Sequence, residues 1–231
     1  MNKRILVLSP HLDDAVLSCA DHILEWKKQG YEINIVTIFT SFKSSQVSPF
    51  AKHYLESSGF SDVISFEKAR KKEDINAMTA LGVEWKHLNF IDGAFRTVGT
   101  KQLYTQTKLF SGQLNPSDLL LIPKLKKEFK NFEFEFVLIT LGIGRHVDHV
   151  LTKLFADKYF INLRKWYYVD WPYAQKWRNW SLPQIIEFLS HKKSFRLMSR
   201  TKLDLLRLYT SQFPLLFQKN PSFPEIILYE R

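Results

Sequence analysis

Residues 4–14, Arg-Ile-Leu-Val-Leu-Ser-Pro-His-Leu-Asp-Asp, combine a short apolar run with one imidazole and two carboxylates just after it. Residues 5–8 are too few for a helix and are rich in branched side chains, which predicts a buried strand that ends at the Ser-Pro pair. Apolar residues at helical spacing follow. The stretch therefore predicts a strand that leads into a helix, with His11, Asp13 and Asp14 at the carboxyl end of the strand.

The two adjacent carboxylates allow two interpretations. Aspartate is favoured at the N-cap and in the first turn of a helix, which would explain Asp13 or Asp14 without any chemistry. Alternatively, His11 and Asp14 can both reach one divalent ion while Asp13 points elsewhere. The second interpretation needs a third ligand from farther along the chain.

A second cluster of ionisable side chains follows a later apolar run. Residues 134–141 predict a buried strand that ends at a glycine, and His-Val-Asp-His occupies residues 146–149. This cluster could cap a helix, or it could offer one imidazole to a metal, one to a substrate, and a carboxylate to orient a ring. With His11 and Asp14 it makes a site of two histidines and one carboxylate, for which zinc is the first choice. Asp13 is then placed to take a proton from a metal-bound water.

The remaining elements predict an α/β fold. A second strand over residues 32–39 follows the first helix, which indicates a right-handed βαβ unit and a parallel sheet. A strand over residues 85–91 delivers Asp92 to another carboxyl end. The sequence predicts a Rossmann-like, mostly parallel sheet with helices on both faces, in a single domain with a C-terminal extension. We expect further elements in this order: a helix over 67–81, a helix from 115 to about 130, a helix over 150–160, a strand over 163–169, a helix over 199–217 and a strand over 225–229.

Composition excludes several classes of protein. The chain has 231 residues, 45% of them hydrophobic and 15% aromatic, which argues against disorder. No run of 18 apolar residues predicts a membrane span, and the stretch after Met1-Asn2 is too short for a signal peptide. The single cysteine, Cys19, excludes an intramolecular disulfide and is expected in the core. We expect a cytoplasmic location, and the oligomeric state stays open.

Positive charge is concentrated in the C-terminal third. The formal charge is +10, and residues 151–231 carry 14 Lys and Arg against 6 Asp and Glu. An anionic substrate, nucleic acid or an anionic membrane surface could be the partner, and an ordinary solvated surface explains the charge equally well. Tryptophans within residues 166–180 could stack on sugars or bases, or belong to the core or a subunit interface. Because the basic residues are scattered along the segment, nucleic acid is the less favoured partner.

The two motifs together resemble those of the LmbE-like, or PIG-L, N-acetylglucosaminyl deacetylase family. The resemblance is carried by Pro-His-Leu-Asp-Asp at residues 10–14 and His-Val-Asp-His at residues 146–149. Three further stretches fit in order: Arg70 to Gly82, Leu88 to Gly93, and Lys202 with Tyr209 to Gln212. Leu12 and Ala15 depart from the family pattern, which usually has Pro and Glu there, but neither position is a metal ligand.

The resemblance implies a role for each matching residue. Zinc, or another divalent ion such as Fe²⁺, would be bound by His11, Asp14 and His149. Asp13 would be the general base, His146 would stabilise the oxyanion and protonate the leaving amine, and Asp148 would orient His146. Arg70 and Asp92 would contact the substrate.

The expected activity is therefore zinc-dependent removal of an N-acetyl group from an amino sugar or its conjugate. The alternative is a non-catalytic binding protein of the same fold that engages an anionic glycan or nucleic acid. We expect a Rossmann-like core over about residues 1–160 and a part that shapes the substrate site over about 161–231.

Overall fold

The computed structural model describes residues 3–43, 47–130, 133–217, 219 and 221–229. Met1 and Asn2, which the sequence places directly before the first strand, lie outside the described residues. The strands are β1 (Arg4–Ser9), β2 (Glu32–Ser41), β3 (Glu84–Ile91), β4 (Thr97–Val98), β5 (Lys101–Gln102), β6 (Phe136–Thr140), β7 (Arg164–Tyr168), β8 (Lys192–Arg196) and β9 (Glu225–Tyr229). The α-helices are α1 (Asp14–Lys28), α2 (Pro49–Ser57), α3 (Val63–Leu81), α4 (Gln106–Leu109), α5 (Leu121–Glu128), α6 (Val147–Tyr159), α7 (Leu182–Ser190), α8 (Arg200–Leu206) and α9 (Phe213–Leu216).

Seven of these strands form one sheet in the order β3-β2-β1-β6-β7-β9-β8. β1 pairs in parallel with β2 and β6, while β9 runs antiparallel to β7 and β8. The mostly parallel α/β class predicted from the sequence is confirmed. Because the chain leaves β1 towards β2 on one side and reaches β6 on the other, the carboxyl ends of β1 and β6 flank a crevice, where open α/β sheets bind ligands.

Apolar side chains fill the space between the sheet and its helices. Residues 5–8 of β1 are fully buried, as expected for a central strand covered on both faces. Cys19 on α1 is also fully buried and belongs to this core, as predicted. Burial of this strand fixes the position of the loop that follows it, which carries the first ligand motif.

The C-terminal region differs from the sequence prediction. The predicted helix over residues 199–217 is wrong: α8 ends at Leu206, and only the short α9 follows. Between them, the Tyr209 hydroxyl donates to Asp74 at 2.8 Å, and the Ser211 N–H donates to Glu73 at 2.8 Å. These bonds to α3 hold the segment outside a helical path. The sequence also missed α7 and β8, and α3 begins earlier than expected, at Val63.

Hydropathy of the helices bears on any membrane-spanning role. Among the described residues, no helix combines the length and the apolar character that crossing a bilayer would require.

Candidate metal centre

The loop after β1 is held in a tight, strained turn. The His11 N–H donates to Asp14 Oδ2 at 2.9 Å, and the Ser9 hydroxyl accepts the Ala15 N–H at 3.2 Å. Asp13 occupies the N-cap of α1 with φ of 140°, and its side chain makes no capping hydrogen bond. A non-glycine residue at positive φ costs about 1–3 kcal/mol. Because its carboxylate does not cap the helix, the capping interpretation fails for Asp13, and the side chain is available to the crevice.

The loop after β6 brings the second motif to the same crevice. His146 is the N-cap of α6, where its Nδ1 accepts the Asp148 N–H at 3.2 Å. The capping interpretation is therefore correct for His146. Gly144 has φ of 87°, and a Cβ at this position would lie 2.6 Å from the Tyr173 ring. Glycine thus allows the close approach of this loop to the segment after β7.

Three potential ligand atoms converge between the two loops. His11 Nδ1 and His149 Nε2 each lie 3.2 Å from Asp14 Oδ2. His149 is fully buried, and its Nε2 has no hydrogen-bond partner despite this short distance. A buried imidazole nitrogen with no hydrogen bond costs free energy unless another ligand satisfies it. The described donor set, two imidazole nitrogens and one carboxylate oxygen, therefore fits a divalent cation.

The opposite nitrogen of each of these histidines contacts a carboxylate. His11 Nε2 lies 3.0 Å from Asp148 Oδ2, and His149 Nδ1 lies 2.7 Å from Asp170 Oδ1. A carboxylate that accepts the second N–H fixes the tautomer and leaves the first nitrogen free to ligate. Both histidines thus have the outer partner that metal-binding histidines usually have.

Two other groups of side chains are also compact enough to bind an ion. Ligand atoms of His11, His146 and His149 lie within 4.8 Å of one another, as do those of His11, Asp92 and Asp148. His11 belongs to both of these groups. We favour Asp14 as the third ligand beside His11 and His149, because its Oδ2 lies 3.2 Å from a nitrogen of each.

Arg70 lies beside the predicted base. Its Nη2 donates to the Leu12 carbonyl at 2.6 Å and to Asp13 Oδ2 at 3.2 Å, and its Nη1 donates to the Tyr54 hydroxyl at 2.8 Å. The sequence predicted contact between Arg70 and the substrate, and Arg70 does line the pocket. Its three hydrogen bonds give it a second task, which is to orient the Asp13 carboxylate.

The position of Asp148 corrects one predicted contact. Its carboxylate was expected to orient His146, but it contacts His11 Nε2 and lies 2.5 Å from Arg96 Nη2. Only the backbone N–H of Asp148 reaches His146. The reason is geometric, because His146 precedes the helix and Asp148 lies in its first turn, where its side chain turns towards β1.

A pocket opens over these side chains. Asp92, predicted to contact the substrate, lines it, and its Oδ2 lies 3.6 Å from His11 Nε2. Other walls come from α2, which carries Phe50 and Tyr54, and from the segment after β7, which carries Trp171, Pro172 and Tyr173. The pocket is lined by His11, Asp13, Asp14, Leu17, Phe50, Tyr54, Arg70, Asp92, Ala94, Leu109, Phe110, His146, Trp171, Pro172, Tyr173, Gln212 and Leu216.

Sequence reasoning missed three polar contributors: Asp170, Arg96 and Tyr54. Asp170 follows the strand predicted over residues 163–169, so a carboxylate at a strand end was an available signal. Arg96 and Tyr54 lie outside the sequence motifs that predict the site. Their roles depend on contacts made only in the folded chain.

Burial and neighbouring charge shift the ionisation of the pocket. Burial is the largest influence on Asp13 and raises its pKa to about 7, against the opposing effect of Arg70. Burial also opposes ionisation of Asp14, but His149 and His11 outweigh it and hold the pKa of Asp14 well below its usual value. Burial lowers the pKa of His146 well below its usual value, and His11 lowers it further.

Comparison with known proteins gives consistent matches. A curated relative, 2'-N-acetylparomamine deacetylase of Niallia circulans, is 27% identical over 189 residues, which cover 75% of this chain and 69% of that protein. A crystal structure of a deacetylase of the teicoplanin biosynthesis pathway, in complex with bog, has a TM-score of 0.78 at 25% identity and covers 98% of this chain and 97% of its own. A structure described as the zinc-inhibited form of teicoplanin deacetylase Orf2 shares the fold, with a TM-score of 0.76 at 24% identity over 98% of this chain and 97% of its own.

The family itself follows from a match over more than half of the chain. The PIG-L family profile, described as GlcNAc-PI de-N-acetylase, matches residues 6–160, which include both ligand motifs. The resemblance predicted from residues 10–14 and 146–149 is thereby confirmed. The chain belongs to the PIG-L family.

Proposed function

We propose that the protein is a metal-dependent N-deacetylase that hydrolyses the N-acetyl group of an amino sugar or its conjugate. The observation that carries the proposal is the convergence of His11 Nδ1 and His149 Nε2 on Asp14 Oδ2, at 3.2 Å each, beneath a pocket that also contains Asp13 and His146. The chain is similar to a 2'-N-acetylparomamine deacetylase and to a deacetylase of the teicoplanin biosynthesis pathway, which supports this substrate class.

The metal would be held by His11, Asp14 and His149. We propose zinc, because zinc favours three nitrogen and oxygen ligands with one open position, and Fe²⁺ is the alternative. Once bound, such a cation polarises a carbonyl group and lowers the pKa of a water molecule towards neutrality. The contribution of the chain itself lies in the side chains that surround that position.

Asp13 would act as the general base. Its carboxylate lies in the pocket, is not used as a helix cap, and is oriented by the Arg70 guanidinium at 3.2 Å. It would take a proton as the water oxygen bonds to the acetyl carbon. As the carbon–nitrogen bond breaks, the same proton would pass to the nitrogen of the amino sugar, which leaves as a neutral amine beside acetic acid. The acid then gives its remaining proton to solvent or to the released amine.

His146 would donate a hydrogen bond to the acetyl oxygen. Its Nδ1 accepts the Asp148 N–H, so in a neutral ring the proton must sit on Nε2. A fixed N–H donor at the pocket stabilises the negative charge that develops on the carbonyl oxygen, an effect typically worth about 2.7–4 kcal/mol. The geometry supports this role, while protonation of the leaving amine by His146 stays a prediction.

The C-terminal part would shape the sugar-binding end of the pocket. Trp171, Pro172 and Tyr173 form one wall, and Gln212 and Leu216 lie on another. Aromatic faces suit the apolar face of a pyranose ring, and the polar groups suit its hydroxyls. We propose that residues 161–231 form this substrate-shaping part of a single domain.

A test is acetate release from N-acetylated amino sugars, free, glycosidic and nucleotide-linked. The protein would be stripped with a chelator and reloaded with one equivalent of Zn²⁺ or Fe²⁺. We expect turnover only after reloading. Absence of acetate from every substrate by the loaded protein would favour the alternative, a non-catalytic binding protein, although such a protein would need neither a base nor an oxyanion donor in its pocket.

A further inference from the structure

Exposed apolar side chains are concentrated in one segment of the chain. Of the 15 large hydrophobic residues that are exposed among the described residues, six fall within residues 177–197. Scattered single hydrophobic residues are ordinary on a protein surface, but a cluster marks an interaction site. The six are Trp177, Leu182, Ile186, Leu189, Phe195 and Leu197.

Helix α7 presents three of these side chains as a stripe. Leu182, Ile186 and Leu189 are 69%, 57% and 67% exposed, and their spacing of four and three residues places them on one helix face. Ile185 and Phe188, on the adjacent face of α7, line an apolar groove together with Leu189. The helix is therefore apolar towards both the protein and the solvent.

Neighbouring aromatic and basic side chains extend this stripe into a surface. The Trp180 ring packs 5.4 Å from the Phe188 ring and 6.2 Å from the Trp177 ring. Lys193 on β8 places its Nζ 4.7 Å from the centre of the Phe188 ring. These contacts connect the tryptophans, α7 and β8.

The alternation of side chains along β8 places Phe195 on the face of the sheet that carries α7. The Ser194 hydroxyl lies 3.2 Å from His22 Nε2, and Arg196 lies 3.6 Å from Glu25, so these two residues face α1. Successive strand residues point to opposite faces. Lys193 and Phe195 therefore lie on the face that carries α7. We call the set Trp177, Leu182, Ile186, Leu189, Lys193 and Phe195 the α7 surface.

The segment that contains the α7 surface is strongly basic. Residues 176–200 contain six Lys and Arg, of which Arg196 and Arg200 are paired with Glu25 and Asp204, and a single acidic residue, Glu187. Glu187 is paired with Lys153 at 3.3 Å, so its charge is already compensated. An apolar helix face bordered by basic side chains and tryptophan is typical of segments that lie in the interface of an anionic bilayer.

We propose that the α7 surface docks the protein on an anionic lipid bilayer, with Leu182, Ile186 and Leu189 inserted at the level of the acyl chains. The excess positive charge favours a lipid occupant over a second copy of the chain, because a two-fold contact would bring two equally basic patches together. Trp171 lines both the groove beneath α7 and the metal-centre pocket. Docking would thus bring the pocket close to the membrane.

The test is co-sedimentation of the full chain with lipid vesicles. Vesicles of phosphatidylcholine alone are compared with vesicles that contain phosphatidylglycerol, at low and high salt. We expect binding that requires phosphatidylglycerol and weakens with salt. The L182S/I186S/L189S variant should bind at least tenfold more weakly, since each substitution removes several inserted carbons.

The matched control is I64S/L120S/I161S, which changes three side chains of similar exposure elsewhere on the surface. This variant should bind as the unchanged protein does. If the α7 variant does not fold, K176E/R178E/K193E provides a second test, and it should lose the preference for phosphatidylglycerol. Absence of binding to phosphatidylglycerol vesicles, or equal loss in the α7 and control variants, would overturn the proposal. So would a dimer in light scattering that the α7 substitutions dissociate, because the surface would then be a self-interface.

Discussion

Replacement of Asp170 by Asn tests whether the outer carboxylate of His149 matters for metal binding. Asp170 Oδ1 lies 2.7 Å from His149 Nδ1, and both residues are buried. The carboxylate can only accept a hydrogen bond, so it holds the ring proton on Nδ1 and leaves Nε2 free towards Asp14. An asparagine amide that turned its NH₂ group to Nδ1 would favour the opposite tautomer, in which Nε2 carries the proton and cannot ligate.

The expected loss follows from these contacts. Removing an outer partner of a metal-binding histidine typically weakens metal affinity by about 10–100-fold, which corresponds to about 1.4–2.7 kcal/mol. Asp170 also accepts the Ile143 N–H at 2.9 Å and a short hydrogen bond from the Thr140 hydroxyl. Asparagine has a single acceptor oxygen for these donors, so D170N should also be less stable by about 1–3 kcal/mol.

The assay must separate affinity from stability. The metal-free protein is titrated with Zn²⁺ against a chromophoric chelator, at a temperature where circular dichroism shows the variant to be folded. D157N is the control, because Asp157 lies on the same helix as His149 and its partners, Lys153 at 2.8 Å and the Tyr167 hydroxyl at 3.1 Å, are not proposed metal ligands. An unchanged dissociation constant in folded D170N would refute the proposed role of Asp170 and with it the assignment of His149 Nε2 as a ligand atom.

Further predictions address the ligands, the base, the C-terminal strand and the surface charge. Alanine at any one of the three proposed ligands should lower bound metal and acetate release together, and full occupancy by elemental analysis would show that the changed residue is no ligand. Asp13→Asn should keep its metal but lose about 10²-fold or more in kcat, whereas near-normal turnover would move the base elsewhere. Glu225→Gln leaves buried Lys202 without its ion-pair partner at 2.7 Å. Urea denaturation at pH 7 should therefore show a free energy of unfolding that is lower by about 3–5 kcal/mol. A loss below about 1 kcal/mol would contradict this expectation. If the basic C-terminal part attracts an anionic substrate, salt should raise KM and leave kcat nearly constant, while a neutral N-acetyl sugar should show no such effect.

The stability of the protein at acid pH tests the buried ion pair between Lys202 and Glu225. Burial would raise the pKa of Glu225, but Lys202 and His22 outweigh it and lower the pKa below its usual value. A carboxylate with a lowered folded-state pKa contributes stability above its unfolded pKa of about 4.3 and loses it as the pH falls through the folded value. The difference in stability between the unchanged protein and Glu225→Gln should therefore be constant at neutral pH and shrink below about pH 4.

Local patterns in the sequence located the elements that carry the ligands but not the partners that orient them. β1 and β6 could be predicted because a central parallel strand is a short apolar run, and the ligand motifs stand directly after such runs. The break after α8 could not be predicted, because it depends on Glu73 and Asp74, which lie on another helix more than 130 residues away. Nothing in the helical spacing of residues 199–217 reveals those bonds.

The same reasoning shows why residues beyond 160 belong to the site. The family profile ends at residue 160, yet Asp170 holds the second nitrogen of His149 from the end of β7. β7 pairs with β9 in the sheet. Glu225, at the start of β9, accepts hydrogen bonds from the N–H groups of Asp21 and His22 on α1, each at 2.9 Å. The helix that begins at Asp14 is thus fixed at its middle by the last strand. We therefore expect the C-terminal strands to help hold the two loops at their mutual distance, and so to support the proposed metal centre as well as line its pocket.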